Sequence, residues 1–158
     1  MISSGRELLE RFYEAFGRGD GAAMAACYTP DARFSDPVYP ELSGAEIGAM
    51  WRMLTGRAQD LRIEVRDLNA DNSKGQATWM ARYLFGAERR PVVNLVRSSF
   101  QLSDGLIAAQ RDSFEFHAWA AQALGVKGRL LGWTPMVRNA VRADAAQRLQ
   151  RYLTAQTS

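Results

Sequence analysis

Residues 12–44 read FYEAFGRGDGAAMAACYTPDARFSDPVYPELSG, and the pattern changes several times within that short span. Phe12 and Phe16 end an apolar stripe that starts at Leu8 and Leu9, the spacing of an amphipathic helix. Gly17-Arg18-Gly19 stops it. Asp20 stands where it would cap a short alanine-rich helix through Tyr28, and Thr29-Pro30-Asp31 breaks that helix in turn. Arg33-Phe34-Ser35 alternates as a short strand and runs into Asp36-Pro37. Ser43-Gly44-Ala45-Glu46 has the form of a capping box and opens the next helix. The stretch therefore predicts helix, short helix, strand, turn and helix, with a carboxylate at the end of the strand.

Upstream, Ser4-Gly5-Arg6-Glu7 is a capping box for the first helix. Downstream, Ile47, Met50, Trp51 and Leu54 share one helical face. Beyond Gly56 the period drops to two: Leu61, Ile63 and Val65 alternate with Arg62, Glu64 and Arg66. A polar turn spans 69–75. A second strand over 76–85 keeps Trp79, Ala81, Tyr83 and Phe85 on one face. A third covers 92–102, and Asp104-Gly105 is a hairpin signal leading to a fourth over 106–116. Helices first and strands after imply an α+β domain over residues 1–117, its helices on one face of a curved antiparallel sheet of four to six strands.

Residues 118–158 form a C-terminal helical extension. A short helix over 116–124 and a glycine-punctuated apolar loop over 125–135 lead to an arginine-rich amphipathic helix over 136–153. In that helix Val137, Val141, Leu149 and Leu153 point inward. Its pattern also fits a helix on a membrane surface or a calmodulin target; packing on its own domain or on a second subunit is the expectation.

With 158 residues, 47% apolar and 23% charged, the chain has the size and balance of one ordinary globular domain. No apolar run approaches the ~18 residues of a membrane span. The start lacks an apolar signal core. Cys27, the single cysteine, has no internal disulfide partner, which fits a reducing cytoplasm; it reads as a small buried hydrophobe. His117, the single histidine, rules out a histidine-rich metal site and reads as structural. The net charge is +3, and the arginines are scattered rather than gathered into a nucleic-acid track.

The order of these elements, and the stretch of residues 12–44 above all, resembles the nuclear transport factor 2-like superfamily. It is most similar to the SnoaL-like polyketide cyclases and the ketosteroid isomerases. The resemblance covers residues 4 to about 117. RDSFEF, residues 111–116, resembles the closing strand of these cyclases and of limonene-epoxide hydrolases, and LLGWTP, residues 130–135, resembles uncharacterised SnoaL-like members. The resemblance implies a cone-shaped roll around an open, mostly apolar pocket, a homodimer, a small apolar ligand, and no cofactor, metal, nucleic acid or membrane partner.

It also implies roles. Asp36 falls on the general base of the isomerases; from its own residues it reads equally as a turn-former bonding nearby N–H groups. Asp112 is the second acid/base candidate, or a paired strand residue. The tyrosine of the isomerase oxyanion hole falls on Phe12, with Tyr13 turned away by ~100°, and its aspartic acid falls near Ser98. Both donors are then missing or weakened, which argues against ketosteroid isomerisation. Epoxide hydrolases carry Arg-x-Asp where this chain has Arg97 and Ser99, so that triad is incomplete. Phe12, Tyr13, Phe16, Tyr28, Phe34, Trp51, Trp79, Asn94, Ser98 and Phe114 are the expected lining of the pocket, with plain core packing as the alternative. Two functions follow: cofactor-independent isomerase, cyclase or lyase chemistry by aspartates, or a non-catalytic module for ligand or protein binding.

Overall fold

The computed structural model describes residues 4–157. Helix α1 (Gly5–Gly17) starts as its capping box requires, the Ser4 hydroxyl accepting from the Glu7 N–H at 3.1 Å. Its start is pinned to the sheet: the Gly5 N–H bonds the Asn72 side chain at 3.0 Å, and a Cβ on Gly5 would fall 1.9 Å from the Asp71 carbonyl oxygen. Helix α2 (Gly21–Ala25) is capped by Asp20 through the Ala23 N–H. It ends at Ala25 rather than Tyr28, because Tyr28 already opens β1 (Tyr28–Ser35) and pairs with Ile107.

Strand β2 (Leu42–Ser43) leads to α3 (Ala45–Arg57). The second capping box forms by half. Glu46 accepts from the Ser43 N–H at 3.0 Å, but the N-cap is Gly44, whose φ of 57° suits a glycine and which has no side chain to return the bond. Strands β3 (Gln59–Ala70), β4 (Lys74–Phe85), β5 (Arg90–Ser103) and β6 (Leu106–Ser113) form the expected antiparallel meander. Asp104 and Gly105, both at positive φ, make the tight turn between the last two.

The six strands run in the order β2-β1-β6-β5-β4-β3. β1 lies parallel to β6, a pairing beyond the antiparallel expectation. α3 and four strands, β2 to β5, separate the two in sequence, the long connection a parallel pair needs. Register shifts between Val65 and Asp67 and between Gln101 and Leu102 bend the sheet. α1 and α3 sit against one face of it. Between them lies a ring cluster centred on Phe12, with Tyr13, Tyr28, Trp51 and Phe100 edge-on to it at 5.1–6.3 Å, the favoured geometry for aromatic pairs.

The extension folds as α4 (Phe116–Ala123), α5 (Val126–Leu131) and α6 (Pro135–Thr157). The span 125–135, read as a loop, thus contains a helix. β6 stops at Ser113, opposite Arg97, and leaves β5 near Val93 without a neighbouring strand on the side away from β4. The Gln122 side chain fills that place, accepting from the Val93 N–H at 2.8 Å and donating to its carbonyl at 3.1 Å. Val137 packs with Val92, Phe116 and Trp119, and Ala145 and Leu149 of α6 join the main core, so the extension packs on its own chain. Among the described residues, no helix is long and apolar enough to cross a membrane.

Candidate active site

Among the described residues the fully buried polar side chains of the sheet gather at one place on its inner face. On β5 and β6 the residues Ser98, Gln110 and Asp112 are buried, and Ser98 pairs directly with Asp112 across the strands. Two hydrogen-bond chains converge there. Trp51 Nε1 donates to the Tyr28 hydroxyl at 2.8 Å, Tyr28 donates to Gln110 Oε1, and Gln110 Nε2 donates to Asp112 Oδ1 at 2.9 Å. Trp79 Nε1 donates to Ser98 Oγ at 2.8 Å, and Ser98 donates to Asp112 Oδ1 at 2.6 Å. Both chains begin at an indole and end on the same carboxyl oxygen. Since Oδ1 receives both donors, a proton on this carboxyl belongs on Oδ2.

Asp112 is 5% exposed. Burial pushes its pKa up to about 7; the hydrogen bonds from Ser98 and Gln110 oppose the rise and the charge of Asp36 adds to it. Tyr13 lies beside it. Its ring is 5% exposed, its hydroxyl is close enough to Ser98 and Asp112 to feel both, and that hydroxyl makes no hydrogen bond of acceptable geometry. Burial, chiefly, raises the pKa values of Tyr13 and Tyr28 well above the ordinary phenol range, so both keep their protons. Tyr13, one helical step of ~100° from Phe12, thus lies in the interior with it. The sheet wraps α1 widely enough to bury Phe12 and Tyr13 together.

Asp36 occupies a different position, at the edge of the same interior. Its backbone N–H bonds the Tyr39 carbonyl at 2.9 Å, and its Oδ1 accepts from the Val38 and Tyr39 N–H groups at 2.7 and 2.6 Å. The turn-forming role is real. By exposed area the residue is only half-buried, yet the turn folds closely around its carboxyl. That desolvation raises the pKa to about 6 against the two backbone bonds and the nearby Arg142. Arg142 of α6 is fixed by its bond to the Pro37 carbonyl at 2.9 Å.

The structure gathers Tyr28, Trp51, Trp79, Ser98 and Asp112 into one hydrogen-bond network, with the Tyr13 hydroxyl beside it. Phe12, Phe16 and Phe34 serve the ring packing around it, with Trp51 5.0 Å from Phe16 and 5.7 Å from Phe34. Asn94 is half-buried on the inner face of β5, away from the network's bonds. Phe114 is half-buried between the two apolar clusters. Cys27 is buried with its thiol on the Ala23 carbonyl, and exposed His117 ties α4 to α5 through the Arg129 carbonyl at 2.9 Å. Sequence reasoning left three contributors out. Gln110, two residues before Asp112 and on its face, was legible from strand parity. Tyr83, whose hydroxyl accepts from Trp119 at 2.8 Å, and Arg142 depend on how the extension docks, which no local pattern shows.

Two open depressions among the described residues bear on the site. One, of about 1050 Å³, is an open groove on the outer sheet face beside Arg33, Ser99, Gln101 and Arg111. The other, of about 440 Å³, lies between α6 and the turn that follows Asp36, against Val38, Tyr39, Arg142 and Leu149. Neither is lined by Asp36 or Asp112. Among the described residues, no group of histidine, cysteine and carboxylate side chains could hold a metal ion.

Residues 9–110 match the model of the SnoaL-like domain. Among curated proteins no sequence matches the chain. Solved structures share the fold at low identity. A protein with a ketosteroid isomerase-like fold from Catenulispora acidiphila DSM 44928, in complex with trimethylamine, is 13% identical with a TM-score of 0.68, covering 82% of this chain and 98% of its own. An LEH-like epoxide hydrolase from M. tuberculosis is 18% identical with a TM-score of 0.64, covering 82% and 96%. A proposed polyketide cyclase from Xanthomonas campestris pv. campestris is 23% identical with a TM-score of 0.62, covering 74% and 94%.

Proposed function

This chain belongs to the SnoaL-like domain family, and from that premise we propose that it moves a proton on a small, largely apolar molecule carrying a carbonyl or similar oxygen. The observation that carries the proposal is Asp112, a carboxyl sunk in the inner face with two donor chains on one oxygen and the unpartnered Tyr13 hydroxyl beside it. A neutral acid and a phenol, both desolvated, are the donors that stabilise developing negative charge on a substrate oxygen. Asp36, ionised above about pH 6, is the base that takes the proton from the carbon next to that oxygen. Returning the proton to another carbon gives an isomer; attack of the carbanion on a second carbonyl within the same molecule gives a ring. The two carboxyls have different environments, and that separation divides the roles of acid and base.

The pH dependence follows from the same groups. Activity rises as Asp36 loses its proton near 6 and falls as Asp112 loses its own near 7, a narrow bell. Because the Asp36 charge raises the Asp112 pKa, the upper midpoint depends on the state of Asp36. The test needs no known substrate. Small apolar ketones are incubated with the protein in D2O, and exchange at the carbon next to the carbonyl is followed by NMR. Wild type exchanges faster than buffer, and Asp36→Asn and Asp112→Asn each slow it by about 100-fold or more. Exchange equal to buffer across the panel, or unchanged in both variants, refutes the proposal.

A second reading, a non-catalytic module, is supported by the rings. Phe12, Phe16, Phe34, Trp51 and Trp79 pack closely in the interior, and neither of the two depressions described is lined by the aspartates. A bound molecule detected by native mass spectrometry, with no exchange in D2O, would favour it.

A further inference from the structure

Helix α5 faces the opposite way from an ordinary amphipathic helix. Its inner side is Gly128, where a Cβ would lie 1.9 Å from the Ala120 carbonyl oxygen of α4, and Gly128 is its one buried residue. Its apolar side chains turn to solvent. Val126 is 67% exposed, Leu130 63%, and the following Trp133 and Met136 68% and 66%. The segment is nevertheless held in shape, since the Trp133 indole donates to the Leu130 carbonyl at 3.1 Å and the Thr134 hydroxyl bonds the Leu131 carbonyl. Isolated apolar side chains on a surface need no explanation, but several of this size within eleven residues do.

Charge identifies the occupant. Residues 116–143 contain Lys127, Arg129, Arg138 and Arg142 and no aspartate or glutamate. Arg138 lies over the Phe116 ring and Arg142 bonds Pro37, while Lys127 and Arg129 flank Leu130 and are exposed. A second copy set on this surface would bring like charges together. The segment presents protruding side chains, Val126, Leu130, Trp133 and Met136 each being about two-thirds exposed. Protruding apolar side chains with a tryptophan, with Lys127 and Arg129 exposed in the same segment, match a fluid apolar layer beneath anionic headgroups. The helix whose sequence pattern raised a membrane surface, α6, spends its apolar face on its own core through Val137, Ala145 and Leu149. The surface left over lies in the segment before it.

We propose that residues 126–136 dock on an anionic phospholipid bilayer, with Leu130 and Trp133 at the acyl boundary and Lys127 and Arg129 on lipid phosphates. The full chain is sedimented with vesicles of phosphatidylcholine alone and of phosphatidylcholine with about one-third phosphatidylglycerol. Binding to the mixed vesicles is expected to be at least about tenfold tighter than to the neutral ones and to weaken with salt. The double variant Leu130→Ser/Trp133→Ser, folded by circular dichroism since both side chains are exposed, should lose at least about tenfold in affinity for the mixed vesicles. Three outcomes overturn the proposal. One is no sedimentation above protein alone. Another is undiminished binding by the variant. The third is assignment of the surface to a protein: light scattering shows a dimer that the variant dissolves, or an acidic amphipathic peptide binds while vesicles do not.

Discussion

Asp112 holds a carboxyl where water is scarce, and this sets its response to pH. An aspartate in the unfolded chain ionises near 3.8 and this one near 7. Between those values the folded state binds the extra proton, so stability present at low pH is lost as pH rises from about 4 to about 7 and levels off above. An asparagine in its place would keep an oxygen for Ser98 and Gln110 and carry no charge. Asp112→Asn should therefore gain on wild type as pH rises, by up to on the order of 4 kcal/mol between about pH 4 and pH 8. Urea denaturation at both values reads this directly, and parallel stability at the two would contradict it. Asp36 shifts in the same direction to about 6 and, being half-buried, adds less. Tyr13 gives a separate test. Its hydroxyl is buried without a partner, so Tyr13→Phe removes no hydrogen bond and should leave stability equal or higher by about 1 kcal/mol. The same change should weaken any ligand that the hydroxyl receives. A loss of stability above about 1 kcal/mol would mean the hydroxyl is bonded after all. Tyr13 also marks the reach of helical periodicity. A single step of ~100° places it off the stripe of Phe12 and Phe16, but a sheet that wraps the helix buries more than one stripe, and that curvature comes from register shifts no window of sequence reveals.

Among the elements, the strands and the long helices follow from their periods, because each buries one face against one partner. The short elements do not. In residues 125–135 the glycines read as breaks, yet Gly128 is there so that α5 can touch the α4 backbone. That contact carries a prediction. Gly128→Ala forces a methyl onto the Ala120 carbonyl and should cost about 1–3 kcal/mol, as overpacking does. Because α4 also carries Gln122, amide hydrogen exchange at Val93 should quicken in the same variant. Unchanged stability with unchanged exchange would show that α5 is loosely held. β1 is the other element that local pattern leaves unfinished: its alternation predicts a strand, while its parallel place beside β6 is set only when the meander closes.

Over the whole molecule, the α+β class and the order of the longer elements were legible in the sequence, and the two aspartates singled out there proved to differ. Asp36 does what its neighbour Pro37 and the following N–H groups dictate, a local matter. Asp112 takes its character from Tyr13, Ser98 and Gln110, brought from α1, β5 and β6 by the folded sheet. The proposed chemistry depends on the second kind of environment. It requires that the Asp112 carboxyl be a neutral acid through much of the range below pH 7 and that the Asp36 charge help keep it so. Carboxyl carbon NMR of the labelled protein, followed from about pH 3 to pH 9, reads that state without any substrate. The predicted result is an Asp112 midpoint near 7 that moves down in Asp36→Asn; a midpoint near 4, the same in both proteins, would contradict the account.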